Sequence, residues 1–197
     1  MLRLRKILAL YLLCIAYLFA ANANVMGSPT VLMLAREKSI DMQFFLQKEA
    51  LPMIELLTEA GFKVDVATQT GKSIEYEGIR LDCNVKLSEV HLDDYIALLV
   101  PCMGAQDYAV SGDWVALLRE ADSKGIIIAA QHSLEMLSPA GLIKGRKVSM
   151  SPGIKIDGNL ITSYNCPYTA VSTRKPIDTD ELIRNLVEVI KNREIQN

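Results

Sequence analysis

Three uninterrupted apolar runs restrict this chain more than anything else in it: "TVLMLA" from Thr30, "YIALLVPC" from Tyr95 and "IIIAAQ" from Ile126. Each is strand-length and lacks the in-out alternation of a half-solvated strand, so each is expected to be covered on both faces. The segments between them carry helical periodicity. "DMQFFLQKEALPMIELLTEAGF" ends on a Gly stop signal with Pro52 as a kink point, and "SGDWVALLREADSKG" has Ser111 or Asp113 as its start. "KVDVAT" supplies another strand, and "IKIDGNLITS" reads as a hairpin turning at Asp157-Gly158. A last helix from Asp178 puts Leu182, Leu186 and Ile190 on one stripe. Residues 69–90 are polar and irregular, and no element is assigned there. Buried strands alternating with covering helices predict one three-layer α/β domain with a mainly parallel sheet.

The N-terminus is set apart. Arg3, Arg5 and Lys6 precede about 15 apolar residues, and Ala21-Asn22-Ala23 has the small-x-small pattern of a cleavage site. The expected organisation is a signal peptide over 1–23 and a domain over 24–197, exported to a periplasm or the medium. An uncleaved anchor is the alternative, although the run is short for a bilayer span. Membrane contact is expected only through this segment. Its removal takes three positive charges and moves the formal net charge from −2 to −5. An acidic domain of this kind argues against nucleic acid as a partner. Cys83, Cys102 and Cys166 then remain, an odd number for an oxidising compartment.

In open α/β sheets ligands gather beyond the carboxyl ends of the strands. Attention therefore falls on the bend after Ala35, the "PCMG" loop at 101–104, and the "AQHS" turn at 130–133. A sharp strand-to-helix turn suits a nucleophile, yet Gln131 carries only an amide.

"IIIAAQHSLEMLSPAGLIKGRKV" resembles the elbow segment of the ThiJ/PfpI family, within the class I glutamine amidotransferase-like superfamily, where a Cys-His-Gly turn leads into a helix and an Ala-Gly-Leu-Leu-Lys-Gly stretch. "AGFKVDVAT", "DDYIALLVPCMG" and "DGNLITS" extend the resemblance, in order, over nearly all of the chain after residue 23. It implies a flavodoxin-like three-layer sandwich and a homodimer. It places Gln131 in the cysteine slot, with His132 and Ser133 after it. The acidic partner falls on Glu49, with Gln43 or Asp41 as other registers. The glycines that offer backbone N–H groups fall on Cys102 and Met103, next to Gly104, and a late Gly-Pro turn corresponds to Cys166-Pro167. A helix and strand normally found before the late hairpin are missing, since "SMSPGIK" is short.

Each residue also has an uneventful reading: Glu49 as a solvated helix carboxylate, His132 as a hydrogen-bonded core histidine, Cys102 as a small inert hydrophobe. His91 reads as a surface residue. Cys102 sits at a strand end, where helix N–H groups or a protonated His132 would lower its pKa. A Cys102–Cys166 bridge is open, because sequence does not give the Cα separation. The spacing of Cys102, Cys166 and His132 matches no compact metal motif, and no cofactor is implied.

Three readings follow. The preferred one is an exported module that has lost the cysteine chemistry and binds a small ligand or a protein through the remnant pocket. The second is an enzyme, hydrolysing amide-like bonds or converting reactive carbonyls, with Cys102 as relocated nucleophile and His132 as base. The third is a redox or metal-binding thiol protein built on Cys102 and Cys166.

Overall fold

The computed structural model describes residues 28–103, 110–132 and 134–196. The expected signal peptide therefore lies outside the described residues, as do Gly104 and Ser133. Seven strands form one sheet in the order β5-β2-β1-β6-β7-β9-β8: β1 is Thr30–Leu34, β2 Lys63–Thr68, β5 Val85–Lys86, β6 Ala97–Val100, β7 Ile127–Gln131, β8 Ile154–Asp157 and β9 Leu160–Ser163. All neighbours run parallel except β8, which returns antiparallel on β9 through a turn in which Gly158 takes φ of 64°. The short strands β3 (Ile74–Tyr76) and β4 (Ile79–Leu81) pair separately, within the stretch that carries no periodic signal.

The apolar runs become strands covered on both faces. Val31 to Leu34, Ala97 to Val100 and Ile127 to Ala130 are all buried. Helix α2 (Leu51–Glu59) packs against α6 (Thr179–Gln196), and α6 lies on β7 and β9. Helix α3 (Gly112–Ser123), capped by Ser111, packs on β7 and against the single turn α4 (Leu134–Leu137). Leu182, Leu186 and Ile190 are buried as their stripe predicts. Residues 138–153 form turns and loop with neither helix nor strand, in keeping with the shortened connection. Among the described residues no helix is long and apolar enough to cross a membrane.

One departure from the sequence reading matters for the site. The first long helix does not simply kink at Pro52. Helix α1 (Met42–Phe45), capped by the Asp41 side chain, passes into a π-helical turn at Leu46–Ala50 before α2 begins. The Leu51 N–H reaches back five residues to the Leu46 carbonyl. Pro52 has no N–H to offer the carbonyl four residues before it, so the wider turn takes up the mismatch there. Glu49 sits in that turn and is fully buried.

Candidate functional site

Strands β6 and β9 flank β7, and the chain leaving each of them bends over the carboxyl end of the sheet. Cys102 follows β6 and Cys166 follows β9, so two residues 64 positions apart meet there, with their sulfurs 2.9 Å apart in a hydrogen bond. Both are unbridged, with Cys102 3% exposed and Cys166 0%.

Glu49 closes the cluster from below. Its carboxyl oxygens accept the Cys102 N–H at 2.5 Å and the Met103 N–H at 3.0 Å. Met103 holds φ of 57°, a conformation natural to the glycine that the family pattern has there, and its Sδ accepts the Arg36 N–H at 3.1 Å. Of the three registers weighed for the acid, only Glu49 reaches the site. Asp41 caps α1 through the Phe44 N–H at 2.9 Å, and Gln43 is exposed.

Cys166 sits at the start of α5 (Pro167–Thr173). Its sulfur accepts the Thr169 backbone N–H, while the Thr169 hydroxyl accepts the Cys166 N–H at 2.9 Å. Tyr168 fastens this short helix to α1: its hydroxyl donates to the Asp41 carbonyl at 2.8 Å, and its ring lies 4.9 Å from that of Phe44.

The electrostatics divide the labour. The hydrogen bond with Cys102, helped by the Thr169 N–H and hydroxyl and by nearby His132, outweighs burial and brings the Cys166 thiol down to about 6. Cys166 is thus the more acidic thiol of the pair, held down chiefly by its contact with Cys102. Burial, then the adjacent Cys166 charge, pushes the Glu49 carboxyl up to about 8 against the two N–H donors, so it stays protonated. The two shifts run in opposite directions and favour charge on sulfur over charge on the carboxyl. One of the three sequence readings puts the nucleophile at Cys102; the contacts around the pair make Cys166 the more acidic thiol.

In the turn after β7 the left-handed conformation falls on His132, next to Gln131, with φ of 46°. Its N–H donates to the Ser163 carbonyl at 3.0 Å, and Nδ1 pairs with the Tyr164 carbonyl at 2.8 Å. A ring nitrogen facing a carbonyl must carry the proton, so Nδ1 is the donor and cannot serve as base. Gln131 is the last residue of β7, fully buried, and its Nε2 donates to the Asn165 carbonyl at 3.1 Å and the Thr179 hydroxyl at 2.8 Å. Gln131 is therefore committed to the seam between the β9 loop and α6 and is not presented at a turn tip.

This arrangement limits the chemistry. A tetrahedral oxyanion needs free N–H groups, but those of Cys102 and Met103 are taken by Glu49. Among the described residues no group of three His, Cys, Asp or Glu is arranged to hold a metal ion. A cleft of about 180 Å³ opens at the adjacent switch point of the sheet, between β1 and β6, lined by Arg36, Lys38, Gln69, Ser111 and Trp114.

Parallel strands with a strand-end thiol pair and a buried acid define a doubly wound α/β protein with a cysteine site. The chain belongs to the DJ-1/PfpI family, whose model matches residues 30–188. Its fold is similar to that of a ThiJ/PfpI domain protein from Brachyspira murdochii, with TM-score 0.63 and 15% identity over 85% of this chain and 99% of that one. A putative transcriptional regulator from Vibrio parahaemolyticus matches with TM-score 0.59 and 18% identity, over 86% and 98%. A thiJ/pfpI family protein from Bacillus anthracis matches with TM-score 0.53 and 16% identity, over 81% and 98%. No curated protein matches the sequence.

Proposed function

We propose that this DJ-1/PfpI protein is a thiol-reactive enzyme in which Cys166, rather than the elbow residue or Cys102, attacks small soft electrophiles while Glu49 supplies a proton. The observation that carries this reading is the shared sulfur contact: at 2.9 Å, Cys102 stabilises a charge on Cys166 that burial alone would suppress. Amide hydrolysis fits less well, because Glu49 occupies the N–H pair that an oxyanion would need. Electrophiles attacked at sulfur, oxygen or an activated carbon-carbon double bond need no such cradle. The near-complete burial of both sulfurs favours small ones. In the sequence, the missing elbow cysteine makes a module without nucleophile chemistry the preferred reading; the contact between Cys102 and Cys166 favours the enzyme reading. The basic-led apolar segment before Asn24 makes export part of the same reading, and the family resemblance makes a homodimer its assembly.

Alkylation with iodoacetamide tests it. Cys166 is expected to label first, with a rate that rises through pH 6, and Cys166→Ser is expected to remove the fast phase while Cys83→Ser leaves it intact. A fast phase on Cys102 or Cys83, or one that develops only near pH 9, overturns the assignment.

A further inference from the structure

A single reactive thiolate explains Cys166 and Glu49 but not why a second buried thiol touches it. The Cys102 and Cys166 sulfurs are 2.9 Å apart, against about 2.05 Å in a disulfide. Both residues leave the carboxyl end of the same sheet from the two strands that flank β7, Cys102 two residues after β6 and Cys166 three after β9. Closing the remaining gap takes less than about 1 Å of motion by that bond length. Asp178 and Gln131 hold the Cys166 loop through Asn165: the Asp178 carboxylate accepts the Asn165 N–H at 2.8 Å, and Gln131 holds the Asn165 carbonyl, while the Cys166 sulfur itself meets the Thr169 N–H and hydroxyl and the Cys102 sulfur.

We infer that the pair is a two-cysteine reductant of hydroperoxides, in which Cys166 is oxidised first and Cys102 resolves it as a reversible intramolecular disulfide. This rests on the assignment of Cys166 as nucleophile and adds the substrate class and the fate of the sulfur.

The steps balance. The Cys166 thiolate attacks the terminal peroxide oxygen; an S–O bond forms, the O–O bond breaks, and the departing alkoxide or hydroxide takes the proton of neutral Glu49. Cys166 is now a sulfenic acid and Glu49 a carboxylate, so the negative charge has passed from sulfur to oxygen and the buried cluster never holds two. Cys102 then gives its proton to Glu49 and attacks the Cys166 sulfur. The S–S bond forms, the S–O bond breaks, and hydroxide leaves as water with the proton from Glu49. One hydroperoxide and two thiols become an alcohol or water, a second water and a disulfide, a two-electron exchange. An external dithiol restores the pair by exchange. A sulfenic acid beside a thiol condenses to a disulfide instead of climbing to the sulfinic state.

The experiment uses the full chain, fully reduced and then exposed to one equivalent of hydrogen peroxide, followed by non-reducing peptide mapping. The expected product links Cys102 to Cys166, leaves Cys83 as a thiol and reverts with dithiothreitol. Cys102→Ser should stop at a Cys166 sulfenic acid that dimedone traps, and Cys166→Ser should consume peroxide at least about tenfold more slowly, as expected on loss of the thiolate. A Cys166 sulfinic acid with Cys102 still free, a bridge that includes Cys83, or no consumption overturns the inference. The wild-type map decides even if a variant fails to fold. Fast alkylation of Cys166 without any disulfide removes this inference and leaves the thiol-nucleophile reading standing, whereas slow alkylation removes the nucleophile itself.

Discussion

The Gln131 amide donates to the Asn165 carbonyl at 3.1 Å, and Asn165 directly precedes Cys166. The glutamine at the end of β7 thus fixes the loop that carries Cys166. Gln131→Ala leaves the Asn165 carbonyl with the Asp178 N–H but takes the amide donor from the buried Thr179 hydroxyl, a loss that costs about 1–3 kcal/mol. Denaturant unfolding should show a loss in that range, and the fast alkylation of Cys166 should slow as its loop loosens.

Gln131→Cys separates the two accounts of the elbow. An elbow tip at residue 131 would give a new fast-labelling thiol. With residue 131 buried under α6, the expected result is a thiol that labels only after unfolding. Native labelling followed by mass mapping reads the difference.

Glu49 and Cys166 give the stability curve a shape. Folding raises the Glu49 carboxyl from 4.5 to about 8, so its contribution is fully present below 4.5 and is lost as pH rises through about 8. Folding lowers Cys166 from 9.0 to about 6, so its contribution is present above 9.0 and is lost as pH falls through about 6. Between pH 4.5 and 6 only Glu49 acts, and stability should fall with rising pH; from 6 to 8 the two oppose and the curve should flatten. Glu49→Gln should abolish the fall between 4.5 and 6, as urea unfolding at several pH values will measure.

Cys102→Ala removes the hydrogen-bond partner that most lowers Cys166. The Cys166 midpoint should move up from about 6, and Cys102→Ser, whose hydroxyl also donates, should move it less. Ultraviolet thiolate absorbance followed against pH gives both values.

Met103 sets strain against packing. Relieving its left-handed backbone with glycine should recover about 1–3 kcal/mol. Emptying a buried methionine side chain costs about 2–5 kcal/mol even when truncated only to alanine. The packing loss wins, so Met103→Gly should lower the unfolding midpoint despite the family's preference for glycine there.

The sheet was legible because burial on both faces leaves a simple mark: runs such as Ile127 to Ala130 admit no polar residue. Glu49 was legible only through the family resemblance, since nothing in "LQKEALP" announces a π-helical turn or a buried acid. The partnership of Cys102 with Cys166 was open but undecided, because spacing along the chain says nothing about two strand ends separated by β7. The burial of Gln131 was not legible either, because which residue of the turn takes the left-handed conformation, here His132, depends on backbone conformation more than on residue type.

The π-helical turn at Leu46–Ala50 makes the acid a matter of helix phase. Removing one residue from that turn would let an ordinary helix run through it and rotate Glu49 by about 100° around the axis. The carboxyl would leave the Cys102 and Met103 amides and face elsewhere, with the thiols and the sheet untouched. A single-codon deletion outside the cysteine segments would therefore part the buried carboxyl from the two sulfurs.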